Sequence, residues 1–243
     1  ILITGSSGFI GNFFLKKSLE KNFKIIDILR EKNKKNKNLI SLRKKYKSSY
    51  HSIFFSNLNQ IKNKLKNKKI DYFINFATLY KNNHKHSDIF NFIESNILFP
   101  NLTYDLIHHK VKKIINFGTM MQHSDGESYS SKNLYSATKN AFEMISDFYS
   151  KKKHVGKFYN IKFYESFGEN DTRKKLIPTI INNYKKNILT NILSKHLTLN
   201  IIHTDDIINS IMILLLNDIK PGSYCIKNTK NIKISNLINN LNK

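Results

Sequence analysis

The stretch ILITGSSGFIG, residues 1–11, decides the fold. Its opening four residues read as a buried strand, and FIGNFFLKKSLEKN, residues 9–22, reads as a helix with an apolar face. Gly5, Gly8 and Gly11 sit at the turn between the two. Glycine is needed where backbone lies against a pyrophosphate and turns sharply into a helix. The free N–H groups and positive dipole end of that helix then face the anion. A glycine triplet alone describes a tight turn equally well. With a strand before it and a helix after it, the triplet points to dinucleotide binding, although the spacing is G-x-x-G-x-x-G and not G-x-G-x-x-G.

Strands and helices go on alternating from there. FKIIDIL (23–29), SIFF (52–55), IDYFINFA (70–77) and KIINFGT (113–119) read as strands, and KFYNIKFYESFG (157–168) contains the sixth. A polar, lysine-rich loop is expected after residue 29, and helices around 57–67, over 88–109 with Pro100 inside, and over 134–152. This alternation predicts an α/β fold of Rossmann type, a doubly wound parallel sheet covered on both faces. Beyond residue 168 the pattern loosens into LIPTIINNYKK (helix), HLTLNIIH (strand), TDDIINSIMILLLND (capped helix) and GSYCIK (strand). The expected organisation is a cofactor-binding domain over 1–168 and a small substrate-side lobe over 169–243, interwoven with it.

A chain of 243 residues with 40% hydrophobic and 12% aromatic residues can bury the core of one large domain. Its longest apolar run, IMILLL (211–216), is too short to cross a bilayer as a helix. The single cysteine, Cys225, excludes an internal disulfide and fits a reducing cytoplasm. No signal-peptide pattern precedes ILIT, and the missing initiator methionine suggests that something short was trimmed there. The net charge of +24 invites a nucleic-acid reading. However, lysine is overused along the whole chain, in REKNKKNK (30–37), KNKLKNKK (62–69) and KKK (151–153) alike. Dispersed charge of this kind is a solvated surface, and no aromatic RNA-binding signature or zinc-ligand spacing accompanies it. Neither nucleic acid, nor membrane, nor metal is expected as a partner.

LYSATK (134–139) places Tyr135 and Lys139 four residues apart on one helix face. A free tyrosine has a pKa near ~10. A neighbouring ammonium and an oxidised nicotinamide would both favour the phenolate, so the pKa is expected to fall. Tyr135 could then exchange a proton with a sugar hydroxyl or carbonyl while a cofactor exchanges hydride. Thr119 ends the preceding strand, placed to hydrogen-bond the same oxygen.

TGSSGFIG, INFAT (74–78), Asn96, Thr119, YSATK, FYESFGENDTR (163–173) and IHTDD (202–206) together resemble the extended short-chain dehydrogenases/reductases, the NAD-dependent epimerase/dehydratase family. Within it, GTMMQH, NLYSATKNAFE and FGENDTRKK look most like the branch of CDP-abequose and CDP-paratose synthases, which reduce a 4-keto sugar with NADPH. The resemblance implies that Thr119, Tyr135 and Lys139 are catalytic. For the cofactor it implies the glycine turn with Ser7, Phe9 and Ile10, then Arg30, Asn57, Leu58, Phe76, Ala77, Thr78, Asn96 and Tyr164, with Tyr135 and Lys139 again. For the substrate it implies Thr119, Met120, Glu165 and Arg173. Asp206 is expected to cap the helix that follows it. Glu165 stands where many relatives carry an asparagine near the substrate diphosphate, so either it turns away or Arg173 takes over the grip. The chain also ends at LINNLNK, shorter than most relatives, so part of the substrate lobe is expected to be missing. The helices over 88–109 and 134–152 are candidates for a four-helix homodimer interface.

NADP(H) is expected over NAD(H). The acidic residue that normally closes the second strand and binds the ribose of NAD falls near Leu29, with Arg30 next; Asp27 would take that role if the strand ended early. In dehydratase relatives an Asp and a Glu follow the catalytic threonine and carry out the elimination. Here Met120 and Met121 occupy those slots, and a thioether has no proton to give. The expected function is therefore reduction of a nucleotide-linked 4-keto sugar. C4 epimerisation is the alternative, and a cofactor-sensing protein without chemistry comes third.

Overall fold

Short apolar runs between glycine, asparagine and lysine become the central strands, buried on both faces as in parallel sheets. The computed structural model describes residues 1–57, 59–126, 128–152, 156–190 and 197–241. β1 (Leu2–Thr4), fully buried, leads through the glycine turn into α1 (Phe9–Glu20). β2 (Ile25–Arg30) follows, then α2 (Lys37–Lys45), β3 (Tyr50–Phe55), α3 (Asn59–Leu65) and β4 (Tyr72–Asn75). Next comes one long helical run of a single 3-10 turn, α4 (Ile89–Ile93), a π-helical turn over Glu94–Leu98, and α5 (Phe99–Ile107). Pro100 follows directly on the π-helical turn, in the first turn of α5, and the helical run continues past it.

β5 (Lys113–Phe117), α6 (Leu134–Ser150) and β6 (Lys157–Phe163) complete the regular alternation. The sequence beyond gives β7 (Glu165–Phe167), α7 (Leu176–Lys185), β8 (Thr198–Leu199), β9 (Ile201–His203), α8 (Thr204–Leu216), β10 (Gly222–Ile226), β11 (Ile232–Lys233) and α9 (Ile234–Leu241). The main sheet has seven strands, all parallel, in the order β10-β6-β5-β4-β1-β2-β3. Among residues 169–243, β10 extends this sheet and α8 packs against α1. α7, β9, β11 and α9 enclose a separate small core around Ile177, Ile180, Ile201 and Ile234.

The connections run outward from β1 in both directions, so a crevice opens at the carboxyl ends of β1 and β4, the switch point where doubly wound sheets bind ligands. A ladder of buried amides fixes the register there. Thr4 Oγ1 donates to Asn75 Oδ1 at 2.6 Å, Asn75 Nδ2 to Asn116 at 3.1 Å, and Asn116 Nδ2 to Asn160 at 3.0 Å. A slip of one strand would break each rung in which it takes part.

Three expectations are corrected. The lysine-rich segment after β2 is not a loop: it holds α2, capped by the Asn36 side chain and anchored by buried Leu39 and Leu42 on one face. The stretch 157–168 does contain the sixth strand, β6; beyond it β7 leaves the main sheet to pair with β9. The strand expected in HLTLNIIH splits at Asn200, its halves pairing with β11 and β7; His196 lies outside the described residues. Asp206 does not cap α8. The helix starts earlier, at Thr204, and the ring Nδ1 of His203 accepts from the Asp205 N–H at 3.3 Å. Asp206 is left exposed in the first turn, where its charge favours the dipole.

At the outer strand β3 the lysines are organised. Lys64 donates its ammonium to the carbonyl of Phe54, and Lys34 and Arg43 stand 5.5 Å and 5.3 Å from the centre of the Phe54 ring.

Candidate active site

The glycine turn is backbone against backbone. Gly5 has φ +74°, and a Cβ there would collide with the backbone of Phe76 and Ala77. A Cβ on Gly11 would strike the Gly5 carbonyl, so α1 can approach the turn only without a side chain. Gly8 opens α1 with no side-chain cap, leaving the first N–H groups of the helix to a ligand. The β4 end is locked beside it, with Phe76 N–H donating to the Thr4 carbonyl at 3.1 Å and Ala77 N–H to Thr4 Oγ1 at 3.3 Å.

A cleft of about 1130 Å³ runs from this turn to the loop after β5. It is large enough for a dinucleotide with a second ligand beside it. Of the residues singled out in the sequence, Gly5, Ser7, Gly8, Phe9, Ile10, Gly11, Arg30, Phe76, Ala77, Thr78, Thr119, Met120, Tyr135, Lys139, Tyr164, Glu165 and Arg173 line it. Asn57 and Asn96 do not. Asn57 accepts from Asn59 N–H at 2.9 Å and so starts α3. Leu58 lies outside the described residues. Asn96 stands behind the wall, in the π-helical turn. Its Oδ1 accepts from Leu79 N–H at 2.7 Å and Thr78 Oγ1 at 3.1 Å, and its Nδ2 donates to Thr138 Oγ1 at 3.0 Å. It ties the cleft segment 78–79 to α6 one turn after Tyr135.

Asn133 caps α6, accepting from Ser136 N–H at 3.0 Å, and the helix presents Tyr135 and Lys139 to the cleft. Both are buried. Burial pushes the Tyr135 phenol above its ordinary value; Thr78 hydrogen-bonding partly opposes this and Tyr80 adds to it. Desolvation is the largest cause, and it favours the neutral phenol. Burial also pushes Lys139 down to about 8. Tyr80 packs edge-on against Tyr135, ring centres 4.9 Å apart.

Thr119 leaves β5 and caps a short 3-10 turn, Met120–Gln122, its Oγ1 accepting from Met121 N–H at 3.3 Å. Met120 and Met121 both line the cleft. Glu165 also lines it, and its charge is met by Lys175 at 3.2 Å, a partner for which the sequence holds no signal. Arg173 is held by Asp171 (Nε at 2.8 Å, Nη2 at 2.6 Å) and by the Ser166 carbonyl at 2.7 Å, its guanidinium 4.1 Å from the Phe9 ring centre. Arg30 closes β2 in the cleft wall, with Lys32 and Asn33 beyond it. Asp27 is fully buried, accepts from Ser6 and Tyr50, and does not line the cleft. Among the described residues no group of three or more His, Cys, Asp or Glu side chains could hold a metal ion, and no helix is long and apolar enough to cross a membrane.

The profile of the NAD dependent epimerase/dehydratase family matches residues 1–226. The chain is 28% identical to a CDP-abequose synthase of Yersinia pseudotuberculosis over 92% of its own length and 75% of that protein's. It is 24% identical to a CDP-abequose synthase of Salmonella typhimurium over 92% and 72%. Among solved structures it superposes on a UDP-glucuronic acid 4-epimerase from Bacillus cereus in complex with UDP-glucuronic acid and NAD. The TM-score is 0.82 at 18% identity, over 99% of this chain and 81% of the other. A dTDP-glucose 4,6-dehydratase from Bacillus anthracis in complex with NAD gives 0.79 at 17%, over 99% and 79%. At these identities the superpositions speak to the fold.

Proposed function

The chain belongs to the NAD dependent epimerase/dehydratase family, and from that premise we propose that it reduces the 4-keto group of a nucleotide-linked deoxyhexose with NADPH. The observation that carries this reading is the pair Met120 and Met121 after Thr119, in a cleft that keeps Tyr135 and Lys139. Water elimination needs an acid and a base in reach of neighbouring carbons, and thioethers are neither. Hydride and proton exchange at one carbon needs only the tyrosine, the lysine and the threonine. The CDP-abequose synthases among the relatives support the same class of substrate.

The glycine turn and the uncapped start of α1 fit the pyrophosphate of a dinucleotide, and the bound cofactor supplies the hydride. Tyr135, protonated because it is buried, donates its proton to the sugar oxygen. Thr119 hydrogen-bonds that oxygen and orients it. Lys139 places its ammonium beside the phenol and the cofactor, and favours the tyrosinate left after transfer. Arg30 takes the 2′-phosphate, with Leu29 where a carboxylate would repel it. Lys175 offsets the Glu165 charge beside the substrate, which lets the carboxylate accept from a hydroxyl without repelling the diphosphate. C4 epimerisation uses the same three residues and has equally little need of an acid–base pair at 120 and 121. Incubation with 4-keto-6-deoxy sugars linked to CDP, UDP, GDP and dTDP, with NADPH consumption followed, tests the proposal. Stoichiometric reduction supports it. Bound NAD in the purified protein, with interconversion of the C4 epimers, would instead identify an epimerase.

We also propose a homodimer through the two long helical elements. Phe90 (73% exposed), Ile93, Leu102, Met144 (61%) and Phe148 (59%) leave apolar side chains exposed on α4, α5 and α6, the kind of surface that marks an interaction site when it is contiguous.

A further inference from the structure

Behind the loop that carries Thr119 lies a buried ion pair that hydride transfer does not use. Glu143 follows Lys139 by one helical turn on α6, as Lys139 follows Tyr135. Its Oε2 meets Lys162 Nζ of β6 at 3.0 Å, with side chains only 8% and 6% exposed. Bringing two charges this far out of water is unfavourable unless geometry and further hydrogen bonds compensate. Here they do. Glu143 accepts from Gln122 Nε2 at 2.7 Å, Tyr129 OH at 2.9 Å and Ser223 Oγ at 2.6 Å. Burial pushes its carboxyl up, but the hydrogen bonds from Ser223 and Lys162 and the Lys162 charge outweigh that and leave it below the usual range. Lys162 donates to Tyr129 OH at 3.2 Å and meets His123 Nε2 at 2.9 Å.

The network touches the cleft at two places. Gln122, fully buried, accepts the Thr119 backbone N–H on its Oε1 at 2.8 Å, so the amide that Glu143 holds on one side holds Thr119 on the other. His123 lines the cleft, and its Nδ1 lies 3.0 Å from the Ser128 carbonyl. A carbonyl requires a donor and an ammonium requires an acceptor, so the ring carries its hydrogen on Nδ1 and both nitrogens are engaged. An imidazole that looks free to act on substrate is thereby a fixed wall. Gly118 serves the same fit, since a Cβ there would run into the Gln122 side chain and crowd Lys162.

We propose that Glu143 and Lys162 are positioning residues of the reaction: the pair holds the loop residues 119–126 and 128–130 so that Thr119 and His123 stand in register with Tyr135. The proposal rests on Thr119 and Tyr135 acting on substrate, as proposed above, and is tested by a readout that needs no substrate as well as one that does. The variants are Glu143→Gln with Lys162→Met, which removes both charges together, and Lys162→Arg, which keeps the cation. Hydrogen–deuterium exchange is measured across the loop, NADPH affinity by fluorescence titration, and kcat and KM on the 4-keto sugar. In the double variant, the loop amides are expected to exchange at least about tenfold faster while α6 and β6 stay protected and NADPH affinity stays within about twofold. A misplaced group costs about 10–100-fold in rate, so kcat should drop by that factor with KM little changed. Lys162→Arg should restore both readouts to near wild type. If the double variant folds and keeps wild-type loop exchange, or if it folds and keeps wild-type kcat, the proposal is wrong. If it fails to fold, Lys162→Arg decides: wild-type loop exchange and kcat uphold the proposal, and loss of either with the fold intact overturns it. A protein that reduces no 4-keto sugar but whose loop loosens as expected would overturn the proposed function and leave the positioning device standing.

Discussion

Ser6 of the glycine turn donates to the carboxylate of Asp27 at 2.5 Å, and Tyr50 donates to the same oxygen at 2.7 Å. This pairing turns the one acidic residue of β2 under the turn and away from the cleft. The cleft wall at the end of β2 is then Leu29 and Arg30. Arg30 is half-exposed, donates to Ser95 Oγ at 2.9 Å and lies 3.6 Å from Glu94. Arg30→Ala is expected to raise KM for NADPH about 10–100-fold, the size of one charge-assisted hydrogen bond, and to change KM for NADH less than about twofold. Steady-state kinetics with both cofactors checks this. Wild-type turnover that is as fast with NADH would refute the assignment.

The same carboxylate makes stability depend on pH. Burial raises Asp27 to about 6, against hydrogen bonds from Ser6 and Tyr50 and the Arg43 charge. The unfolded chain releases this proton near ~3.9, so between about 4 and 6 the native state binds more protons and stability falls as pH rises. The loss approaches roughly 3 kcal/mol and persists above that window. Asp27→Asn keeps an acceptor for both hydroxyls without the charge. Its melting temperature should exceed wild type by roughly 6–12 °C at pH 8 and match it near pH 4. A lower melting temperature at pH 8 would contradict the burial argument.

Lys139 carries the opposite sign. With its value down at about 8, the folded state releases a proton that the unfolded chain keeps until ~10.4, so this residue makes stability rise with pH across that interval. Lys139→Met removes a buried ammonium. The variant should melt higher than wild type at pH 7, lose that contribution to the rise, and retain less than about 1% of kcat. Tyr135→Phe should lose about 10²–10⁴-fold in kcat while NADPH still binds. Calorimetry and single-turnover rates decide both, and a wild-type rate in the Tyr135→Phe variant would remove the tyrosine from the mechanism.

With Met120 and Met121 beside Thr119, incubation with NDP-hexoses and oxidised cofactor should give no 4-keto-6-deoxy product. Catalytic formation of that product, seen by mass spectrometry, would show that the elimination groups lie elsewhere in the cleft.

If α4, α5 and α6 pair with a second copy, Phe148→Glu places a charge in that contact. Light scattering should give a dimer for wild type and a monomer for the variant, with the melting curve of the variant still cooperative. A wild-type monomer at tens of micromolar would dismiss the interface.

What could be read from the sequence was what depends on backbone and local spacing. Gly5 and Gly11 are required by collisions between neighbouring turns, and Tyr135 and Lys139 by one helical repeat, so short windows sufficed. α2 was missed because its two buried leucines, Leu39 and Leu42, stand among six lysines and arginines of the run 34–45, where composition hides a narrow apolar face. The partners of Glu165 and of Glu143 lie on other elements, at Lys175 and Lys162, and no periodicity announces a pair brought together by topology. Glu143 alone gave a signal, in its four-residue step from Lys139. The desolvation of the Tyr135 phenol was hidden for a related reason. Adjacent charge is visible in a sequence and depth of burial is not.

The cations gathered on Phe54 bear on how this protein behaves in a crowd. An outermost strand offers a row of hydrogen-bonding groups to any passing chain and can seed ordered aggregates. At β3 an ammonium already occupies one of those carbonyls and two more cations stand over the neighbouring ring. A second strand docking there would have to strip water from three positive charges and displace one of them. The abundance of lysine, which says nothing about ligands, thus guards one border of the sheet. β10, on the opposite border, leaves Ser223, Tyr224 and Cys225 exposed, and the hydrogen bond from Ser223 to Glu143 ties it inward without placing a charge on its outer edge. Strong salt, which screens charge, should therefore weaken the guard on β3 far more than anything at β10.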